Sequence, residues 1–215
     1  MTEIQIVRNS LRETFGSYPQ LIDQLDLFPD DFICNVISYS GELRWLSTLI
    51  VLIFARAYKA KNIIETGTLR RTDSPDGQST KVFAEYVKLY GGKFYSVDIS
   101  TEAISISKSE VGPTLLPYVN YVCEDSVGWL SRFNEQIDVL YLDSYDFDDK
   151  NPDPSQQHEL AEIGAAFGKL NNPAVIALDD CDIPFEGKSR LGSQFLRDRG
   201  WKLLFDGYQR VFINP

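Results

Sequence analysis

The sequence is short of cysteine, of histidine and of positive charge. Its three cysteines, Cys34, Cys123 and Cys181, are odd in number and widely spaced. That pattern fits neither a disulfide framework nor a cysteine zinc site, and free thiols suit a reducing, cytoplasmic setting. Lysine and arginine total 21 against 31 acidic residues, a formal net charge of −10. Such a field repels phosphate backbones and anionic membrane surfaces, so neither nucleic acid nor membrane is an expected partner. The opening MTEIQIVRNS has no basic start followed by an apolar core, so no signal peptide is expected. Long hydrophobic runs are scarce too. The most apolar window, WLSTLIVLIFARA at residues 45–57, is too short to span a bilayer and is flanked by Arg44 and Lys59. It reads as a buried helix. Three closely spaced glycines of a dinucleotide fingerprint are missing, as is the Lys-Ser/Thr of a phosphate loop.

What remains is ordinary globular material, 43% hydrophobic and 24% charged. Residues 3–60 read as helical, broken near 16–19 and 29–31. The stretch 43–58 is apolar almost all round, which suits a helix packed on a sheet or joining a homodimer. From Lys61 the texture changes to short apolar runs that end in acids: KNIIE, KFYSVD, VNYVCED, DVLYLD and AVIALDD. Helical stretches separate them, over 79–90, 101–111, 126–134 and 155–170, the last with Ser155 as expected N-cap. Alternation of this kind predicts an α/β doubly wound parallel sheet. The last segment, WKLLF-DGY-QRVFIN, predicts two strands joined by a tight turn at Asp206-Gly207, which permits only antiparallel pairing. The expected architecture is a seven-stranded, mostly parallel sheet closed by an antiparallel hairpin. A helical segment, residues 1–60, would pack on a core of residues 61–215.

Parallel strands point the same way, and ligands bind beyond their carboxyl ends. The acids Glu65, Asp98, Asp125, Asp143 and the pair Asp179-Asp180 are therefore expected on one rim. A single acid there is commonly a cap or turn residue. Several together call for hydrogen-bond donors, a cation or both.

These segments, taken in order, resemble the class I S-adenosylmethionine (SAM) dependent methyltransferases, whose fold is Rossmann-like. NIIETGT with GQST resembles the first family motif, FYSVDIS the second, YVCEDSVGWL the third and DVLYLDSYDF the fourth. The resemblance implies that Glu65 and Gly67 approach the methionine part of SAM. It implies that Asp98 takes the ribose hydroxyls, and that Asp125, Ser126 and Val127 lie beside the adenine. The insertion at 69–76 departs from the usual short turn, and Arg70 and Arg71 are candidates to act there. The second half is similar to the magnesium-dependent O-methyltransferases of small molecules, of the catechol and macrocin kinds. That similarity implies Asp143, Asp179 and Asp180 as Mg2+ ligands, with Asp143 at the catalytic centre and a small hydroxylated acceptor.

The single histidine, His158, falls in the first turn of the helix after the acidic loop. Its ordinary pKa lies near neutrality, which makes it a candidate general base. Two alternatives stand beside the magnesium reading: a metal-independent SAM methyltransferase using His158, and a non-catalytic binding protein of the same fold. A nicotinamide dehydrogenase is disfavoured by the missing glycine fingerprint and by the closing hairpin.

Overall fold

A computed structural model describes residues 3–14, 19–71 and 78–214. Three helices come first: α1 (Glu3–Thr14), α2 (Pro19–Leu25) and α3 (Asp30–Ala57). Strands and helices then alternate through β1 (Asn62–Thr66), α4 (Ser79–Tyr90), β2 (Lys93–Asp98), α5 (Thr101–Leu115), β3 (Asn120–Cys123) and α6 (Ser126–Arg132). The chain continues through β4 (Ile137–Leu142), α7 (Asp153–Phe167), β5 (Leu170–Leu178), α8 (Arg190–Asp198), β6 (Lys202–Asp206) and β7 (Arg210–Ile213).

The seven strands form one sheet in the order β3-β2-β1-β4-β5-β7-β6. The first five are parallel, and β7 runs antiparallel to both β5 and β6. This is the expected doubly wound sheet with its closing hairpin. The chain builds outward from β1 to β3, returns, and starts again at β4. The β1/β4 boundary is therefore the point where strand order reverses and a crevice opens.

β1 and β4 are buried along their whole length. Strand alternation divides their side chains between two apolar layers. Ile63, Val139, Tyr141 and Val175 face the layer containing α3 and α4. Ile64, Leu140, Leu142 and Ile176 face the layer built by α6, α7 and α8. α3 is long and apolar enough to cross a membrane by length and composition. Its residues Leu49 to Ala55 are nevertheless no more than 2% exposed and belong to the same apolar layer as β1, β4 and β5. The apolar window thus covers the sheet.

Two details differ from the sequence reading. α7 begins at Asp153, so Ser155 lies inside its first turn and donates to the Pro152 carbonyl at 2.9 Å. Proline is favoured at the first helical positions, and Pro154 draws the start upstream. The hairpin connection is Gly207, Tyr208 and Gln209, longer than a tight Asp206-Gly207 turn. Tyr208 and Gln209 of this connection donate to Asp180 and Asp179.

Candidate active site

β1 leaves the sheet through Gly67, at φ +80°, where a Cβ atom would lie 2.2 Å from the Asp143 carbonyl oxygen. Only glycine allows the two strand exits to pass this closely. The neighbouring amides fix the rim. Gly67 donates to Val97, and Asp143 donates to Thr66. Asp98 accepts from the Thr68 amide at 3.1 Å and the Ser100 amide at 2.7 Å. Asp125 caps α6 by accepting from the Gly128 amide at 2.7 Å. Each carboxylate keeps lone pairs beyond these bonds.

The result is a cavity of about 270 Å3 at the reversal point, walled by Gly67, Asp98, Asp125, Ser126, Ser144 and His158 among others. A second cavity of about 500 Å3 shares Asp98, Ile99, Ser144 and Tyr145 with it and extends to Arg70 and Glu102. Arg70 is ion-paired with Asp146. Arg71 is exposed at the end of the described stretch, and the remainder of the insertion, residues 72–76, lies outside the described residues.

Glu65 does not reach this rim. It is 1% exposed and accepts three hydroxyl hydrogen bonds, from Ser79 at 2.6 Å, Ser96 at 2.7 Å and Thr80 at 2.8 Å. Its carboxyl therefore ties β1 to β2 and to the first turn of α4, a position that favours negative charge. Burial pushes its pKa up to about 7 against those three donors. Val127, too, is absent from the cavity wall, although Asp125 and Ser126 are in it.

His158 stands in the wall with Nε2 3.2 Å from Ser126 Oγ and 3.4 Å from Glu162 Oε1. Glu162 also accepts from Ser144 Oγ at 2.8 Å. Glu162 raises the imidazole pKa, more than partial burial lowers it. Tyr145 lies against the same ring, 5.3 Å between centroids. The next residue of α7, Glu159, is buried with neither oxygen hydrogen-bonded among the described residues, and burial holds its pKa well up.

Asp143, Asp179 and Asp180 do converge, with one oxygen from each inside a 4.8 Å span. Their charge is already answered. Arg44 of α3 grips Asp179 with Nε 3.0 Å from Oδ1 and Nη2 3.0 Å from Oδ2. Gln209 adds a bond to Asp179 at 2.8 Å, and the Tyr208 hydroxyl donates to Asp180. Lys188 Nζ lies between the other two acids, 2.8 Å from Asp143 Oδ1 and 2.9 Å from Asp180 Oδ2. Burial alone would depress the ammonium pKa, but Asp143, Asp180 and Asp179 hold it well above its ordinary value. Asp180 is pushed up by burial, yet Lys188 and Tyr208 bring it below the usual carboxylate range.

The donor set is right for a hard divalent ion, but the space is not. Mg2+ needs oxygens at about 2.0–2.1 Å and room for waters. The ammonium holds that room, so the residues as arranged do not fit the Mg2+ that the sequence suggests. Arg44 and Lys188 were the residues hardest to foresee. The signals were an arginine at the mouth of an apolar run, and a Gly-Lys shortly after an acid pair.

No protein-family model and no curated protein matches the sequence. Solved structures do match. A methyltransferase from Geobacter sulfurreducens is 12% identical with a TM-score of 0.57, covering 93% of this chain and 94% of that one. Cofactor-bound Rv0187 from MTB is 15% identical with a TM-score of 0.56, covering 86% and 89%. The O-methyltransferase NovP is 10% identical with a TM-score of 0.53, covering 78% of each. At these identities the likeness is one of fold, and the fold is the Rossmann-like methyltransferase fold.

Proposed function

We propose that the chain transfers a methyl group from SAM to a hydroxyl of a small molecule. The observation that carries this reading is the pair of adjoining cavities at the β1/β4 reversal, walled by Asp98, Asp125 and Ser126. Their combined size suits a nucleoside cofactor with a small acceptor beside it. The methyltransferase fold of the neighbours supports the same choice, and one of those neighbours is an O-methyltransferase.

When bound, SAM supplies an electrophilic methyl group on a sulfonium sulphur. Asp98, already oriented by two backbone amides, would offer its remaining lone pairs to the ribose hydroxyls. Asp125 and Ser126 stand at the start of α6, where an adenine edge would meet them. Carboxylates on this wall favour a cationic ligand over its neutral product, which assists release.

The acceptor's proton would go to His158, the imidazole of the same wall, 3.2 Å from Ser126 Oγ. Glu162 orients its ring and would stabilise the imidazolium formed when a hydroxyl proton arrives. With SAM bound, a base near the acceptor hydroxyl and a positioned methyl donor would account for the transfer by positioning and proton removal. Asp143, proposed from the sequence as catalytic, is engaged by Lys188 and is left out of this mechanism.

Calorimetry with S-adenosylhomocysteine tests the reading. One site per chain with micromolar affinity is the expected result. Absence of binding at millimolar concentration would sink the proposal, and tighter binding of a nicotinamide dinucleotide would replace it.

A further inference from the structure

The acid cluster has the composition of a divalent-cation site and the contents of an ion-paired one. Lys188 is 4% exposed, and its ammonium contacts both Asp143 and Asp180. The backbone that delivers it is specialised. Phe185, Glu186 and Gly187 are successively left-handed, at φ 62°, 59° and 54°. A Cβ on Gly187 would lie 1.5 Å from the Asp180 carbonyl oxygen. The Lys188 amide then donates to that same carbonyl at 3.2 Å, and Gln156 of α7 holds the Gly187 carbonyl at 2.8 Å. Two non-glycine residues in this conformation are costly and persist only where surroundings fix them. The segment is therefore built to bring one ammonium into the cluster.

We propose that Lys188 is the resident cation of the cluster, standing where a divalent ion would stand, so that the intact chain binds no such ion there. Lying 2.8 Å from Asp143 and 2.9 Å from Asp180, the Lys188 ammonium serves as counter-ion and positioning residue for both. Removing the ammonium leaves the half-buried carboxylates of Asp143 and Asp180 without it, and a hard divalent ion becomes the partner that restores balance. The catalytic meaning of this arrangement rests on the methyltransferase reading. The ion chemistry does not, and it is measured without SAM or acceptor.

The probe is Mn2+, titrated by electron paramagnetic resonance into the full chain, into Lys188→Ala and into Lys188→Met. The intact chain should show no saturable site up to about 1 mM, and the variants one site per chain bound on the order of 100-fold more tightly. Asp143→Asn in the Lys188→Ala background should abolish the gain, which separates a built site from surface binding. A variant that is folded only when Mn2+ is present supports the inference through linkage. Micromolar binding by the intact chain overturns it, because the ammonium would then be a removable guest. A folded Lys188→Ala or Lys188→Met with no gain overturns it as well. If neither variant folds with or without Mn2+, the titration of the intact chain alone decides.

Discussion

Two groups of acids share one rim of the sheet and live under opposite rules. Asp98 and Asp125 are anchored by backbone amides and face open cavity. Asp143, Asp179 and Asp180 are anchored by side-chain cations and a tyrosine, and face one another. Backbone amides fix a carboxylate without consuming its charge, and the field stays available to a ligand. Arg44 and Lys188 consume it, and the reward is a tie between distant parts of the fold. Acid content alone does not mark a binding site; the source of the hydrogen bonds does.

The sharpest way to break this contrast is to unbalance the closed group. Arg44→Met should destabilise the chain by about 3–5 kcal/mol, because Asp179 would remain buried without its cation. Urea unfolding measures it, and a loss below about 1 kcal/mol would place the closed group among ordinary surface pairs.

Glu65 gives the next effect. Its folded pKa of about 7 lies above its ordinary 4.5. Between those values the folded chain binds the extra proton, so this contribution favours folding fully below pH 4.5 and is lost as pH rises through 7. Glu65→Gln should flatten the stability profile between pH 5 and pH 8 by about 2–3 kcal/mol, read from denaturant midpoints across that range. An unchanged slope would mean that the three hydroxyls keep the carboxylate charged.

The open group should respond in binding rather than in folding. Asp98→Asn should weaken S-adenosylhomocysteine roughly 10–100-fold while changing stability by about 1 kcal/mol or less. Equal losses in both measurements would erase the distinction between the two groups.

Much of the fold was legible because buried parallel strands read as apolar runs, and each run here ends in an acid where the chain turns out of the sheet. That Asp98, Asp125, Ser126 and His158 share one cavity wall was legible for the same reason: each sits at a strand end or a helix start. Glu65 misled because it occupies the last but one position of β1, and strand alternation turns it toward α4. The closed group misled more deeply. Asp179 meets an arginine 135 residues earlier, and Lys188 enters through a left-handed backbone. The residues stand at visible places in the sequence, but no spacing fixes either contact, so the pairings were not legible. The same blindness hid Gln209, whose reach depends on a connection one residue longer than the dipeptide suggested.

The span of the Arg44–Asp179 pair also bears on biosynthesis. At ordinary elongation rates the guanidinium emerges on the order of ten seconds before its carboxylate exists. Gln209 and Tyr208 are made later still, and both complete the same knot. The helix that carries Arg44 is therefore synthesised well before the acid, amide and hydroxyl that complete the knot, so this tie closes only after the last strands are made.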